Sequence, residues 1–137
     1  MEIVGLGTEI VECLRIGRMI ESHGEQFLQR VFTDREIRHC QLRNNPVSHF
    51  SGIWAAKVAV QRALGNHRGR GLSWTDLEIR IQADGSPELR VRGNASDATA
   101  NRGISSFLIS ISQCRTYATA TVMAVAQSAK VSTKPTA

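Results

Sequence analysis

The stretch from residue 48 to residue 65, SHFSGIWAAKVAVQRALG, constrains the fold of this chain more than any other segment. It contains no proline, Ser48 is a suitable N-cap and Gly65 is a suitable helix stop, so the stretch predicts a long helix. At about 100° per residue the helix has one apolar face and one smooth alanine face, and we expect it to pack on two sides. The apolar face comprises Phe50, Ile53, Trp54, Val60 and Leu64, and the alanine face comprises Ala55, Ala56, Ala59 and Ala63.

Lys57 is the anomaly within this helix, because helical spacing places it in the middle of the apolar face. One interpretation is that its long stem packs against apolar neighbours while the ammonium snorkels to water. The other is that the ammonium is held at a partly dry site, where it meets an anion. The spacing alone is compatible with both.

The bulk properties predict one compact globular domain. The chain has 137 residues, of which 42% are hydrophobic and 21% are charged, and we expect the domain to cover residues 1–126 with a frayed tail at 127–137. No apolar run approaches the roughly 20 residues of a membrane span, and the amino end lacks the basic region of a signal peptide. The net charge of +5 favours an acidic partner: nucleic acid, an acidic protein or a phosphorylated small molecule.

The cysteines and histidines form no metal-binding or disulfide pattern. Three cysteines, an odd number without a C-x-x-C pair, favour free thiols and a cytoplasmic protein. The four histidines lack zinc-site spacing, and Gly5-Leu6-Gly7 predicts a tight turn without a phosphate-binding Walker loop. The residues concerned are Cys13, Cys40, Cys114, His23, His39, His49 and His67.

The amino-terminal half predicts a strand followed by helices. Residues 2–7 are β-branched and closed by glycine, which favours a strand, and residues 8–20 have near-helical apolar spacing, with Glu9 at the turn between them. Thr33 and Glu36 have the spacing of a capping box, so a helix should run from there to about Leu42.

The carboxy-terminal half predicts mainly strands. Residues 66–71 form a Gly- and Arg-rich loop, and residues 76–82 and 88–92 alternate around the hairpin signal Asp84-Gly85. Residues 94–102 predict a short helix capped by Asn94. Residues 106–112 and 117–125 predict two further strands, the second of them central. The order indicates an α+β fold whose helices cover one face of an antiparallel sheet, which leaves a face or an edge of the sheet exposed.

Six segments resemble one family when they are read in order. They are GLGTEIVECLRI (5–16), FLQRVFTDREI (27–37), WAAKVAVQRALG (54–65), WTDLEI (74–79), DGSPEL (84–89) and SISQCRTYATA (110–120). Together they resemble the holo-acyl-carrier-protein synthases, the small 4′-phosphopantetheinyl transferases, over about residues 3 to 125.

The resemblance implies a phosphopantetheinyl transferase-like fold, assembled as a homotrimer with CoA sites between adjacent subunits. It also implies an activity in fatty acid biosynthesis: transfer of the phosphopantetheine arm of CoA to a serine of apo acyl carrier protein, with release of adenosine 3′,5′-bisphosphate. Because the attacked phosphorus lies in a diphosphate, such a transfer needs positive charge on the leaving phosphate. In the family Mg²⁺ supplies it.

The resemblance also assigns roles to residues of this chain. Glu9 stands at the family's first metal-ligand position, and Glu9 and Lys57 are the implied catalytic residues, with Mg²⁺ on Glu9. The implied CoA-binding residues are Lys57, Arg62, Gly65, Ser86, Pro87 and Gln113. For the acidic carrier protein the implied contacts are the basic Arg15, Arg18 and Arg30 with the apolar Met19 and Phe27. An ordinary solvated face is the alternative for these arginines.

The chain departs from the family at three of these positions. Glu9 replaces an aspartate and still offers a hard oxygen ligand, whereas Val58 replaces the second metal-binding carboxylate and cannot ligate. Gln113 replaces a histidine and cannot carry charge. Two alternatives follow: a transferase whose Mg²⁺ is weakly held or replaced by Mn²⁺, or a silent relative that binds CoA or carrier protein without turnover. A basic nucleic-acid binder, whose binding would fall steeply with salt, is a third class that we do not favour.

Overall fold

The computed structural model describes residues 1–65 and 72–127, so the expected loop 66–71 and the tail from residue 128 onward lie outside the described residues. The elements are strand β1 (Glu2–Glu12), helices α1 (Cys13–His23), α2 (Glu25–Val31), α3 (Asp34–Gln41) and α4 (Pro46–Leu64), a 3₁₀ turn (Trp74–Asp76), strands β2 (Leu77–Ile81) and β3 (Pro87–Val91), helix α5 (Gly93–Asn101), and strands β4 (Ile104–Gln113) and β5 (Tyr117–Ala126). Within these ranges no helix is long and apolar enough to cross a membrane.

The strands form two antiparallel sheets, which confirms the expected α+β class. The main sheet has the order β1-β5-β4, and β2 pairs with β3 in a separate hairpin. The β5 strand is central, as its alanine-rich and β-branched sequence predicted. Its small inward residues, among them Ala118, Ala120 and Ala124, are fully or almost fully buried, so the helix above the sheet can approach closely.

Helix α4 lies on one face of the main sheet and meets β1 backbone to backbone. A Cβ atom added at Gly5 would lie 2.0 Å from the carbonyl oxygen of Ala63, and one at Gly7 would lie 1.9 Å from that of Ala59. No side chain fits in so small a gap, so glycine is required at both strand positions. The predicted alanine face of α4 therefore packs against β1.

The opposite face of the main sheet is exposed, in agreement with the predicted exposed face or edge. Leu6, Met123 and Leu108 are paired in one row across the three strands, and Leu6 and Leu108 are 60% and 55% exposed. The next row consists of hydroxyl side chains on Thr8, Thr121 and Ser110. An apolar row beside a hydroxyl row gives this face mixed character.

The structure corrects the amino-terminal prediction, because β1 continues to Glu12 where a helix from residue 8 was expected. Pairing with β5 runs without a break from Gly5 through Glu12, which lies opposite Tyr117. In so short a segment the apolar spacing of Ile10 and Val11 is compatible with a helix or a strand, and pairing with β5 decides the outcome. Glu9 therefore lies within a strand, and its expected place at a turn is wrong.

The helix-boundary predictions are confirmed at two positions and wrong at two. The capping box of Thr33 and Glu36 is present, and Gly65 ends α4 in the left-handed conformation at φ 75°. However, α4 begins at Pro46, and the Ser48 hydroxyl donates to the carbonyl of Asn45 as an intrahelical side chain would. Helix α5 begins at Gly93, so the N-cap expected at Asn94 is also wrong.

Candidate active site

Glu9 and Arg62 form an ion pair where β1 runs beside the last turns of α4. The Arg62 Nη1 donates to the Glu9 Oε1 at 2.8 Å, and the same nitrogen donates to the carbonyl of Thr8. The Glu9 side chain is 15% exposed, whereas that of Arg62 is 52% exposed. The guanidinium is therefore fixed at one end by the strand and faces solvent over the rest of its surface.

Arg102 ties the carboxy-terminal end of α4 to β1. Its guanidinium donates to the carbonyls of Ala63, at 3.3 Å, and of Leu64, and also to the carbonyl of Val4. The carbonyl groups at this end of the helix have no N–H donor within the helix, so a cation that donates to them is favourable. Arg102 therefore holds the end of α4 beside Gly65, three residues after Arg62.

Lys57 lies in the interior, where it is paired with a buried carboxylate. Its Nζ lies 2.7 Å from the Glu36 Oε1, and both side chains are fully buried. The same ammonium donates to the carbonyls of Val31 at 2.7 Å and Trp74 at 3.2 Å. Burial lowers the pKa of Lys57, and the charge of Glu36 opposes that shift.

Of the two sequence interpretations of Lys57, the structure agrees with an ammonium held at a dry site against an anion, which is the Glu36 carboxylate. The snorkelling interpretation is wrong, because the ammonium is not exposed. An ammonium has three protons, and Glu36, Val31 and Trp74 take all three, so no proton remains for a phosphate. We therefore keep Lys57 out of the phosphate contacts and assign it the positioning of α4 against α3.

Gln113 lies in a cleft of about 430 Å³ at the other edge of the main sheet. Its side-chain amide donates to the Nδ1 of His49 at 2.8 Å. Pro87 lines the same cleft, whereas Ser86 lies at the tip of the β2–β3 hairpin and donates to the carboxylate of Asp84. Two of the implied CoA-binding residues, Pro87 and Gln113, thus share one cavity.

Three basic residues that the sequence interpretation did not assign complete this cleft. They are His39, Arg43 and His49. Burial and the nearby Arg43 guanidinium lower the pKa of both histidines. No local signal could have identified them, because the contact between His49 and Gln113 joins residues 64 positions apart.

The absence of a side chain at Gly52 leaves room for the Gln113 side chain, which gives a first testable prediction. A Cβ atom at Gly52 would lie 2.2 Å from the Gln113 Oε1 and 3.0 Å from a methyl carbon of Ile111. Gly52→Ala should therefore displace the Gln113 side chain and break its bond to His49 at little net cost in stability, because the displaced oxygen ends a flexible side chain and alanine favours the helix. The His49 ring resonances in NMR spectra should shift as they do in Gln113→Ala. Unchanged His49 resonances in Gly52→Ala would contradict this arrangement.

The residues implied for carrier-protein contact divide into two groups. Met19, Phe27 and Arg30 line a groove of about 470 Å³ between α1 and α2. His23 and Gln26, which the sequence interpretation missed, line it too.

Arg15 and Arg18 lie outside that groove. The Arg15 guanidinium lies over the Trp54 ring, 5.2 Å from its centroid, and Trp54 stacks on Trp74. Arg18 is exposed on α1. Three of the five residues implied for one contact therefore line the groove, Arg15 lies on the stacked rings of Trp54 and Trp74, and Arg18 belongs to neither.

The residues beside Glu9 do not form a protein-held site for Mg²⁺. Glu9 is a single carboxylate that already accepts from Arg62, and Val58 is half-buried and apolar. Across residues 1–65 and 72–127, no group of three or more histidine, cysteine, aspartate or glutamate residues could hold a metal. Mg²⁺ keeps several of its waters in proteins, and at Glu9 it would gain one protein carboxylate, which already accepts from Arg62.

The implied site residues of one chain thus fall into two groups on opposite edges of the main sheet. Glu9, Arg62 and Gly65 lie at the β1 edge, and Pro87 and Gln113 lie at the β4 edge. Arg62 lies 13 positions after His49 on α4, which corresponds to about 20 Å along the helix axis. A single chain does not bring the two groups into one pocket.

Comparison with known proteins gives consistent matches along the chain. A sequence profile of the 4′-phosphopantetheinyl transferase superfamily matches residues 5–122. A holo-[acyl-carrier-protein] synthase of Rhodopirellula baltica is 50% identical over 123 residues, which are 90% of this chain and 98% of that relative. One of Chlamydia pneumoniae is 40% identical over 92% of this chain and 100% of its own length.

Solved structures agree with these sequence matches. The holo-[acyl-carrier-protein] synthase of Neisseria meningitidis superposes with a TM-score of 0.83 at 30% identity, over 90% of this chain and 99% of that one. The Helicobacter pylori synthase, solved in complex with coenzyme A, superposes with a TM-score of 0.77 at 27% identity, over 88% and 99% of the two chains. The likeness therefore extends over nearly the whole described fold.

Proposed function

Because this chain belongs to the 4′-phosphopantetheinyl transferase superfamily, we propose that it transfers the 4′-phosphopantetheine arm of CoA to a serine of apo acyl carrier protein. The serine hydroxyl gives up its proton, and its oxygen bonds to the phosphorus next to the pantetheine. The bond from that phosphorus to the bridging oxygen breaks, so adenosine 3′,5′-bisphosphate leaves with that oxygen, and the proton passes to the leaving phosphate or to water. The observation that carries the proposal is the match to holo-[acyl-carrier-protein] synthases over almost their full length. The alternative of a silent relative is not favoured.

The Glu9–Arg62 pair is the part of the site best suited to the reacting diphosphate. Negative charge grows on the leaving phosphate, and a half-exposed guanidinium that is fixed in advance stabilises such charge. Glu9 orients Arg62 from the strand side, and α4 ends at Gly65, three residues after Arg62. Lys57 acts indirectly, by holding α4 on the protein interior. No step of this mechanism requires a metal held by the protein.

We place the remainder of CoA at the cleft of Pro87 and Gln113 on an adjacent subunit. The two groups of site residues lie on opposite edges of one chain, so a site made between two chains would unite them. The exposed sheet face, with its row of Leu6, Met123 and Leu108, offers the surface for a homotrimer. The assembly and the shared site are part of this proposal.

The acidic carrier protein is proposed to dock on the groove between α1 and α2. Arg30 and His23 supply basic groups there, and Met19 and Phe27 supply apolar contact. Arg15 and Arg18 extend the basic surface along α1. Opposite charge on the two partners would speed their encounter and set their orientation.

A transfer assay tests the proposed function. Purified protein, CoA, a divalent cation and apo carrier protein are mixed, and the intact mass of the carrier is followed for the added arm. We expect the shift in the wild type, and a fall in kcat/KM of about 10²-fold or more in Arg62→Met, because stabilising charge is lost from the transition state. Arg90→Met is the matched control, since that arginine pairs with exposed Glu88 on the hairpin. No shift in the wild type, with CoA still bound, would identify a silent relative.

A further inference from the structure

The carboxylate of Glu9 already has a cation beside it. The Arg62 Nη1 lies 2.8 Å from its Oε1, and that nitrogen is also bonded to the carbonyl of Thr8. Charge-assisted bonds of this kind are stronger than neutral ones, and a second anchor on the backbone limits the movement of the guanidinium. A divalent cation that approached Glu9 would have to compete with Arg62.

The neighbouring helix position offers no second ligand. Gly5 lies against Ala63, and Gly7 lies against Ala59. Two residues along β1 therefore correspond to four residues along α4, which sets the alignment of the strand with the helix. Val58 lies one turn before Arg62 on the same flank of α4, so it is a neighbour of the side chain that contacts Glu9. It is half-buried and apolar.

From this geometry we infer that Arg62 supplies at Glu9 the positive charge that a divalent cation would otherwise supply, and that the protein without CoA has no tight divalent-cation site. The inference rests on the proposed function. The folded chain itself holds the Arg62 guanidinium beside Glu9, so this cation does not have to lose bound water to reach the carboxylate. Mg²⁺ gives up its waters reluctantly and would gain only one protein ligand here. Binding of CoA should consequently depend on Arg62 more than on the metal concentration.

Metal binding without CoA is the first test, with Mn²⁺ as the probe and its electron paramagnetic resonance signal as the readout. The wild type should show no saturable site below about 1 mM. Val58→Glu should bind Mn²⁺ at least about tenfold more tightly, because a second carboxylate would join Glu9. Val58→Gln, with the same shape and no charge, should gain nothing. A saturable micromolar site in the wild type that is lost in Glu9→Gln would overturn the inference, as would equal Mn²⁺ affinity in the two Val58 variants.

CoA binding is the second test, measured by calorimetry in EDTA and in MgCl₂. The wild-type Kd should change by less than about threefold between the two conditions, whereas Arg62→Met should lose about tenfold in EDTA and regain part of that loss with Mg²⁺. A wild-type Kd that falls more than about tenfold with Mg²⁺, together with no effect of Arg62→Met, would refute the role of Arg62. Neither measurement requires turnover, so failure of the transfer assay and failure of this inference remain distinguishable.

Discussion

Replacing Gly7 by alanine is expected to abolish stable folding or to cost about 4 kcal/mol or more of unfolding free energy. The added Cβ would lie 1.9 Å from the Ala59 carbonyl oxygen and 2.9 Å from the amide nitrogen of Ala63. Both obstacles are helix backbone, which cannot rotate aside as a side chain can. Helix α4 would have to lift from the sheet, and the buried contacts on either side of it would be lost.

Urea unfolding followed by the fluorescence of Trp54 and Trp74 measures this effect. Gly17→Ala is the matched control, because the nearest atom to a Cβ there is a Val47 methyl carbon at an ordinary 3.6 Å. Gly17 lies inside helix α1, so its replacement should be neutral or stabilising by up to about 1 kcal/mol. A Gly7→Ala protein within about 1 kcal/mol of the wild type would mean that the helix and strand are not in backbone contact.

Lys57→Met should cost about 3–5 kcal/mol, since it leaves the charge of Glu36 buried without its partner. Glu36 would keep its bonds from the backbone amides of Thr33 and Ile79, but both of these donors are neutral. Burial already raises the pKa of Glu36, against the opposing charge of Lys57. Without that charge, the folded state of the variant should favour the protonated carboxyl more strongly still.

The pH dependence of the variant distinguishes this cause from a simple packing defect. A carboxyl whose pKa is higher in the folded than in the unfolded state favours folding at low pH, and that contribution is lost as pH rises through the folded pKa. The stability gap between Lys57→Met and the wild type should therefore narrow from pH 8 toward pH 5 in thermal melts. Adding Glu36→Gln should recover part of the loss at pH 8. A gap that is constant with pH, and no recovery in the double variant, would mean that Glu36 is not the source.

Local sequence signals predicted the parts of the fold that local interactions determine. Thr33 and Glu36 cap one helix through bonds three residues apart, and Gly65 ends another through its own left-handed backbone. The hairpin at Asp84-Gly85 is likewise a local turn. In each case the interacting residues lie close together in the sequence, so the local pattern was enough to predict the element.

The environments of the site residues were predicted less well, because long-range pairing determines them. Glu9 was expected at a turn, and its pairing with β5 places it in a strand. Lys57 was expected to meet either water or an unspecified anion, and the anion that it meets is Glu36 on α3. The motif predicts which residues belong near the site, and that assignment stays a prediction, but it could not indicate which of them are buried.

The topology of the main sheet also determines when the protein can fold during its synthesis. The first strand, β1, pairs only with β5 among the described strands, and β5 begins at Tyr117, roughly a hundred residues later. On the ribosome β1, with its apolar Leu6 and Ile10, therefore stays unpaired until β5 has been translated. A chain that stops before β5 is complete would lack the centre of its main sheet, so incomplete translation products of this protein should be targets for chaperones and proteases.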